Sequence, residues 1–437
     1  MIECELVIEN ADFVVTCDKE SSVFKNYSIG ITGKQIAAIA PAGQISGRNR
    51  YDAMGKIITP GLINTHTHLA MTLLRGWAEG VNLQGFLERV WAAEGAIMDG
   101  ETAKVGTKLG ALEALMSGTT TALDMYLFPE ATHLGATEIG IRHIGGPIFF
   151  DFPGLDGMNW EERIAFARRW PDLIKEIGGP SVPSFFMPHA TYTCSPEHLA
   201  EIAALAKETN SSIHIHASEN ENENREVREK YQKTPTEILE DSGILSRHTV
   251  YGHGVHLSDT DIEILNKRQT AIAHCPGSNL KLASGIADIT RYQKGGIQVG
   301  LGTDGCSSSN DLNMWSVMRL AALLIAQTQG AQRVENSKIF EMATIGGAKS
   351  LGIDQITGSL EIGKSADIIA VDINRPHMIP IHDVFAQLIF AAGRDDVSDV
   401  WVDGEQLIKD RNSTRIEFSN LKQEVAEKIA KLSTLEK

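Results

Sequence analysis

The stretch that decides the fold runs Gly61-Leu62-Ile63-Asn64-Thr65-His66-Thr67-His68, an apolar segment that ends in two histidines separated by one residue. Residues i and i+2 of a strand point to the same side, so the His66 and His68 imidazoles can reach one metal ion. Two ligands cannot enclose a metal, so such a site requires another histidine and an acidic ligand. The chain supplies both, in Ile213-His214-Ile215-His216-Ala217-Ser218-Glu219 and Gly300-Leu301-Gly302-Thr303-Asp304-Gly305.

Similar strand-like runs recur along the chain and are separated by stretches with helical periodicity, an alternation typical of β/α units with a parallel sheet. The runs are Leu62–Thr65, Thr120–Asp124, Arg142–Phe150, Val182–Met187, Ser212–His216, Thr249–Tyr251, Thr270–Ala273 and Ile297–Gly302. Eight units within roughly three hundred residues predict an α/β fold with a closed (β/α)8 TIM-type barrel. No glycine fingerprint for a dinucleotide follows any of these runs.

The two ends of the chain have a different pattern of short alternating segments and tight turns. Residues 28–39 indicate a hairpin, and residues 400–408 indicate a second hairpin around the Asp403-Gly404 turn. We predict that residues 1–56 and 357–437 form one small composite β-sandwich domain, with an amphipathic C-terminal helix from near Ser419. Residues 57–356 are then the barrel of a metal-dependent hydrolase.

Composition restricts the partners of this chain. Its formal net charge is −16 over 437 residues, which argues against binding nucleic acid or an anionic membrane, because either requires a basic face. The five cysteines are scattered without a C-x-x-C pair, as expected in a reducing compartment. The N-terminal residues lack the basic and apolar regions of a signal peptide. We therefore predict a cytoplasmic protein that acts on a small molecule.

The strand-end residues suggest a specific chemistry. Three imidazoles and a carboxylate suit a divalent metal with an open position for water, whose pKa the metal lowers toward neutrality. Asp304 can bind the metal and accept the proton of that water, while Glu219 can give a proton to a ring nitrogen. His253, after another of the predicted strands, can stabilise an oxyanion. His214 shares a face with His216 but lies deeper, so we predict a hydrogen-bonded core histidine.

Further motifs accompany these residues: Met71-Thr72-Leu73-Leu74-Arg75-Gly76, Pro188-His189, His253-Gly254-Val255-His256-Leu257, Ser278-Asn279-Leu280-Lys281-Leu282 and Gly363-Lys364-Ser365-Ala366-Asp367. With them the chain resembles, over nearly its whole length, the amidohydrolase superfamily. Within it, the chain resembles the branch of 5′-methylthioadenosine/S-adenosylhomocysteine deaminases and their triazine-hydrolase relatives. This resemblance implies a homo-oligomer with one divalent metal per subunit, zinc first, with iron or manganese as alternatives. The implied metal ligands are His66, His68, His216 and Asp304, and the implied proton-handling pair is Glu219 and His253.

The resemblance also implies how a nucleoside is held. Glu94 matches, with a one-residue gap, a residue that binds the ribose hydroxyls, and His189 matches a residue beside the purine or ribose. Members that accept S-adenosylhomocysteine carry two arginines for its carboxylate, and the corresponding positions here are Pro147 and Asn159. A buried carboxylate without a cationic partner is costly. Adenosine, 5′-methylthioadenosine or 5′-deoxyadenosine are therefore expected in preference to S-adenosylhomocysteine.

The predicted function is hydrolytic deamination of these adenine nucleosides to the inosine analogue and ammonia. One alternative is an aminohydrolase of a triazine, pterin or oxidised guanine. Such a ring carries no ribose, so the hydroxyl-binding role of Glu94 would be lost. A second is a two-metal cyclic amidase, which usually bridges its metals with a carboxylated lysine after the fourth strand, where residues 185–189 offer none. A third is a metal-binding protein without catalysis, which the presence of Glu219 disfavours.

Three features near these motifs have structural explanations that need no role in catalysis. The acidic stretch from Asn220 to Asn224 is predicted to be a solvated loop. His274 and Asn279, which follow the seventh strand, can equally line the pocket or serve in helix capping and turn formation.

Overall fold

The chain alternates strands and helices in its middle and forms mainly antiparallel strands at its two ends in the computed structural model, which describes residues 2–435. The strands are β1 (Ile2–Val15), β2 (Val23–Thr32), β3 (Gln35–Pro41), β4 (Ile45–Asp52), β5 (Lys56–Pro60), β6 (Leu62–Thr67), β7 (Thr119–Asp124), β8 (Arg142–Gly145), β9 (Ile148–Phe149), β10 (Phe185–Pro188), β11 (Ser212–Ala217), β12 (Thr249–His253), β13 (Ala271–His274), β14 (Val299–Leu301), β15 (Ile368–Asp372), β16 (Val397–Val402), β17 (Glu405–Lys409) and β18 (Asn412–Ser413).

The helices lie mostly between the central strands. They are α1 (Leu83–Ile97), α2 (Gly100–Met116), α3 (Pro129–Ile139), α4 (Trp160–Ile177), α5 (Pro196–Thr209), α6 (Glu221–Tyr231), α7 (Pro235–Asp241), α8 (Asp259–Arg268), α9 (Pro276–Lys281), α10 (Ile289–Lys294), α11 (Met314–Gln329), α12 (Asn336–Met342), α13 (Ile345–Leu351), α14 (Val384–Ala386) and α15 (Phe418–Ile429). Among residues 2–435, no helix combines the length and the apolar character needed to cross a lipid bilayer.

The central strands form two parallel sheets. One has three strands in the order β6-β7-β8, and the other has six in the order β14-β13-β12-β11-β10-β9. Every residue of β6, β7 and β11 is buried, as is typical of parallel strands covered by helices on their outer face. Each of the eight predicted runs contains a strand, so the predicted mixed α/β fold is confirmed.

Two of these runs differ from the prediction where prolines occur. The run predicted from Arg142 to Phe150 is split into β8 and β9. Pro147 cannot donate a ladder hydrogen bond, and a Cβ on Gly146 would lie 1.8 Å from the carbonyl oxygen of Phe185, so glycine permits the close approach of β10. The run predicted from Val182 begins only at Phe185, because Pro183 interrupts it.

Both chain ends contribute to one nine-stranded sheet in the order β18-β17-β16-β15-β5-β1-β2-β3, with β4 paired to β1. The two predicted hairpins are present, β2 with β3 and β16 with β17. Strands that are distant in this order make contact, since the rings of Tyr51 and Trp401 meet edge to face at 4.9 Å. Lys34, in the first hairpin turn, pairs with Asp403 in the second at 3.2 Å. The predicted C-terminal helix begins at Phe418 as α15.

Arg142, the first residue of β8, links the central strands to the nine-stranded sheet. Its guanidinium is fully buried and donates to Asp367, to Asp403 and to the Ser365 hydroxyl, and its Nη1 donates to the Ser181 carbonyl at 2.8 Å. We call Arg142, Ser365, Asp367 and Asp403 the arginine clamp. The clamp lies at the opposite end of the central strands from the polar residues described next.

Candidate active site

Polar side chains at the carboxyl ends of the parallel strands converge on one point. His66 lies in β6 with His68 directly after it, His216 lies in β11, His253 ends β12 and Asp304 follows β14. The ligand atoms of His66, His68 and His216 lie within 4.8 Å of one another, as do those of His66, His253 and Asp304. Asp304 Oδ1 is 3.4 Å from His66 Nε2 and 3.2 Å from His68 Nε2. We call these five residues the histidine cluster.

Each of the three histidines predicted as ligands uses its Nδ1 in a hydrogen bond within the protein. These bonds join His68 Nδ1 to the Met125 carbonyl (2.5 Å), His216 Nδ1 to the His189 carbonyl (2.8 Å) and His66 Nδ1 to His214 Nε2 (2.7 Å). His214 donates from Nδ1 to the Val250 carbonyl at 2.9 Å, so its Nε2 accepts from His66. The Nε2 atoms of the three histidines are thereby left for a ligand. His214 is the hydrogen-bonded core histidine that the sequence predicted.

The donor set fits a divalent metal. The buried Nε2 of His66 has no hydrogen-bond partner among residues 2–435. Burial lowers the pKa of His66 to about 4 and that of His216 well below its usual range. Burial alone would raise the pKa of Asp304, but the His66 and His68 rings hold that pKa well below its usual range. Neutral imidazoles beside an ionised carboxylate are the forms that bind Zn²⁺ and similar ions.

His68 differs from the other two histidines. Burial lowers its pKa, but the hydrogen bond and charge of Asp304 outweigh burial and raise the pKa of His68 to about 9. A metal that binds at His68 Nε2 must therefore displace a proton over most of the pH range.

The backbone is strained where site residues leave their strands. His253 has a φ of 66° and Asp304 a φ of 60°, and Ser218, just before Glu219, has a φ of 50°. Residues other than glycine rarely adopt this left-handed conformation. Such strain persists where the surrounding structure imposes it, and it concentrates at functional sites.

A cavity opens beside the histidine cluster and contains the other predicted site residues, Glu94, His189 and Glu219. Glu94 lies on α1, is buried, and accepts a hydrogen bond from the Tyr126 hydroxyl at 2.5 Å. Burial raises the pKa of Glu94 to about 7, although the Tyr126 hydrogen bond opposes this shift. Tyr126 was not identified from the sequence, because nothing local marks a tyrosine after β7 as the partner of a residue on α1.

Glu219 follows β11 and faces the histidine cluster. Its Oε2 lies 3.9 Å from His253 Nε2, and burial raises the pKa of its carboxyl group. Its backbone N–H donates to the Glu223 carboxylate at 2.8 Å. The predicted loop beyond Glu219 is instead the start of α6, where Glu221 and Asn222 are exposed as predicted but Glu223 is buried. Glu223 holds the backbone of Glu219 instead of facing water.

His189 directly follows β10 and lies in the cavity wall beside Phe150, with ring centroids 5.3 Å apart. Burial and the charges of His68 and His66 lower the pKa of His189 to about 3. Asn279, left open by the sequence, belongs to the site, because its Oδ1 accepts from His253 Nδ1 at 3.0 Å. His274 is buried on β13 and is not among the described residues that line the cavity.

The positions that correspond to the two arginines carry no positive charge into the cavity. Asn159 caps α4, its side chain accepting from the Glu162 N–H, and Pro147 lies between β8 and β9. Within residues 2–435, no lysine or arginine lines the cavity. Its wall includes the aromatic side chains of Phe86, Trp91, Phe150 and Phe152.

Comparison with known proteins places this chain. The family model described as the Amidohydrolase family matches residues 57–407. The chain belongs to this family. The amidohydrolase is 38% identical over 395 residues to a protein named 5-methylthioadenosine/S-adenosylhomocysteine deaminase from Desulforudis audaxviator, covering 88% of this chain and 89% of the relative.

Two further proteins give the same picture. The amidohydrolase is 38% identical over 397 residues to a 5'-deoxyadenosine deaminase from Methanosphaera stadtmanae, covering 90% of this chain and 92% of the relative. The crystal structure of an adenosine deaminase from Xanthomonas campestris, with bound zinc, superposes with a TM-score of 0.95 at 31% identity. That superposition covers 99% of this chain and 100% of the other.

Proposed function

We propose that this amidohydrolase removes the 6-amino group of adenine nucleosides by hydrolysis and releases ammonia and the inosine analogue. The observation that carries the proposal is the placement of two buried carboxyl groups in one cavity. Glu219 lies beside the histidine cluster, and Glu94 lies on α1 with its pKa raised to about 7 by burial. The relatives named as 5-methylthioadenosine/S-adenosylhomocysteine and 5'-deoxyadenosine deaminases support the same reaction.

The proposed metal is a single divalent ion, zinc first, with iron or manganese as alternatives for the same donors. His66, His68, His216 and Asp304 would hold it, and the bound zinc of the Xanthomonas campestris deaminase supports this choice. When bound, the metal supplies the Lewis acidity that makes a water nucleophilic at neutral pH.

The remaining chemistry belongs to the side chains of this chain. Glu219, whose carboxyl pKa is raised by burial, holds a proton that it gives to N1 of the purine as water adds to C6. Asp304 accepts a proton from the attacking water, and His253 donates from Nε2 to the oxygen that forms at C6. Glu219, ionised by the first transfer, takes the proton of the new C6 hydroxyl group and passes it to the amine as the C6–N bond breaks, and the proton held by Asp304 then returns to Glu219. Ammonia leaves, and the 6-oxo purine remains.

The proposed binding mode places the ribose hydroxyls on Glu94, with His189 beside the purine or ribose. Because Tyr126 already donates to Glu94 Oε1, the second carboxylate oxygen is left for the ribose. The cavity has aromatic walls and, among the described residues, no cationic side chain, which favours adenosine, 5′-methylthioadenosine and 5′-deoxyadenosine over S-adenosylhomocysteine.

We also propose that the two parallel sheets close into a (β/α)8 barrel over residues 57–356. If β8 and β9 count as one interrupted strand, the three-stranded and six-stranded sheets supply eight strands. The Asp304 N–H donates to the His66 carbonyl at 3.0 Å, which supports pairing of the last strand with the first.

Residues 1–56 and 357–437 are proposed as the composite β-sandwich, supported by the contact of Tyr51 with Trp401. A homo-oligomeric state and a cytoplasmic location stay predictions.

The test is an assay of zinc-loaded protein with adenosine, 5′-methylthioadenosine, 5′-deoxyadenosine and S-adenosylhomocysteine, following adenine absorbance and ammonia release. We expect deamination of the three neutral nucleosides and poor use of S-adenosylhomocysteine. Strong use of S-adenosylhomocysteine would contradict the predicted substrate preference but not the reaction. Inactivity on all four would overturn the proposed function in favour of a ring without ribose.

A further inference from the structure

A thin wall separates the active-site cavity from a second cavity. The active-site cavity is lined by Phe150 and by residues 152–155, and the turn that follows reaches Asp156 and Met158, which line the second cavity. Ile148 lines both cavities. The second cavity has a volume of about 440 Å³. Since one water occupies roughly 30 Å³ in the liquid, this space can hold a chain of several atoms.

A buried cation lies directly behind this wall. Arg163, on α4, donates to the two carboxylate oxygens of Asp156 at 2.8 and 2.7 Å and to the Ile148 carbonyl at 2.9 Å. The Arg163 side chain is 2% exposed and that of Asp156 is 7% exposed. The Asp156 carboxylate also accepts from the Met158 N–H at 3.2 Å. Asp156 thus neutralises the guanidinium and fixes the turn that forms the wall.

Gly154, in the segment between the two cavities, lines the active-site cavity. A Cβ placed on Gly154 would lie 3.3 Å from Arg163 Nη2 and 3.2 Å from Asp156 Oδ1. Gly154 adds no side chain between the cavity and the ion pair, and the Phe150 ring, also in the cavity wall, lies 5.9 Å from the Arg163 guanidinium. Asp156 accepts two parallel hydrogen bonds from the Arg163 guanidinium. A substrate carboxylate would bind the guanidinium with the same geometry.

We propose that Asp156 is a specificity-determining residue of this enzyme. By pairing with Arg163 it withholds a guanidinium from the active-site cavity and holds the wall closed, so that neutral 5′ substituents are accepted and a 5′ tail ending in a carboxylate is rejected. Loss of the Asp156 charge leaves Arg163 buried without its counter-ion, and a substrate carboxylate that enters the second cavity can replace it. This inference rests on the proposed deamination of adenine nucleosides.

The experiment compares Asp156→Asn with the unsubstituted full-length enzyme, both loaded with zinc. We expect the ratio of kcat/KM for S-adenosylhomocysteine to that for 5′-methylthioadenosine to rise by about tenfold or more. In thermal unfolding, S-adenosylhomocysteine should raise the Tm of Asp156→Asn more than 5′-methylthioadenosine does, with the reverse order in the unsubstituted enzyme. The matched control is Asp172→Asn, on the exposed face of α4, the helix that carries Arg163, and it should leave the ratio unchanged.

Two further measurements separate the outcomes. The double variant Asp156→Leu with Arg163→Met lacks both charges, so it should not gain use of S-adenosylhomocysteine.

If Asp156→Asn does not fold, the unsubstituted enzyme is assayed with S-adenosylhomocysteine and its carboxamide. Better use of the carboxamide supports the inference, and equal use overturns it. An unchanged ratio in folded Asp156→Asn overturns it as well. Inactivity of the unsubstituted enzyme on 5′-methylthioadenosine would instead refute the proposed function.

Discussion

The arginine clamp and the histidine cluster are both buried groups of ionisable side chains, one at each end of the parallel strands. In the clamp, the Arg142 guanidinium meets two carboxylates, a hydroxyl and a carbonyl, so its donors are occupied within the protein. In the cluster, His66 Nε2 is buried with no hydrogen-bond partner among the described residues, and the His253 and Asp304 backbones are strained. Buried polar groups are normally satisfied. The clamp therefore stabilises the fold, and the cluster is arranged for a ligand.

The largest expected effect comes from Glu219→Gln, which changes the chemistry at the cluster without changing its shape. The amide cannot donate and regain a proton, so we expect kcat to fall by several orders of magnitude, at least about 10³-fold. Metal content by elemental analysis should stay that of the unsubstituted enzyme, because Glu219 is not a proposed ligand.

The matched control for this variant is Glu221→Gln, two residues on at the exposed start of α6. It should keep full activity. Near-normal turnover by Glu219→Gln with full metal occupancy would remove Glu219 from the mechanism.

Arg142→Met breaks the clamp and leaves the cluster intact. Asp367 and Asp403 then lose their common buried cation, and we expect the free energy of unfolding in urea to fall by about 3–5 kcal/mol. The folded variant should retain its metal and most of its kcat. Arg168→Met, whose ion pair with Glu208 is half exposed, serves as control and should cost less than about 1 kcal/mol. Equal losses in the two variants would show that the clamp contributes no more than a surface pair.

The same contrast explains what the sequence could and could not predict. His66 and His68 were found because the two-residue period of a strand fixes which side chains share a face. His214 shares a face with His216 and was separated from it by its deeper position in the strand. These inferences needed only local spacing, and the structure brings all of the predicted ligands together.

The missed features depend on contacts between distant positions. Arg142 meets Asp367 and Asp403, which lie 225 and 261 positions later in the chain. Tyr126 reaches Glu94 on a different element, and the carbonyl that orients His68 carries no sequence signal at all. Glu223 was misjudged because an acidic, asparagine-rich stretch is usually solvated, whereas here the backbone of Glu219 supplies a buried partner.

Glu94→Gln tests how much the burial of an ionised carboxylate in the active-site cavity costs in stability. Burial raises the pKa of Glu94 from 4.5 to about 7 in the folded state, so the folded chain binds this proton more tightly than the unfolded chain. The contribution of Glu94 to stability is therefore greatest below pH 4.5 and is lost as the pH rises to about 7. Glutamine does not ionise, so its contribution to stability does not change with pH. It can still accept the hydrogen bond from Tyr126.

We expect Glu94→Gln, relative to the unsubstituted enzyme, to be more stable at pH 8 than at pH 5 by about 2 kcal/mol. Urea unfolding at the two pH values measures this difference. Tyr126→Phe serves as a comparison, because it removes the hydrogen bond and keeps the carboxylate. An identical stability difference at both pH values would mean that Glu94 titrates normally.

The smallest expected effect is that of Asn279, which contacts the cluster through His253. Its Oδ1 accepts from His253 Nδ1, which leaves His253 Nε2 facing Glu219. In Asn279→Ala the ring loses this acceptor and its fixed orientation, and we expect kcat to fall by about tenfold with little change in KM. Asn279→Asp keeps an acceptor oxygen and should restore part of the rate. A kcat that is unchanged in Asn279→Ala would mean that the surrounding backbone alone orients His253. A fall in stability without a fall in kcat would place Asn279 with the clamp, as a residue of the fold and not of the site.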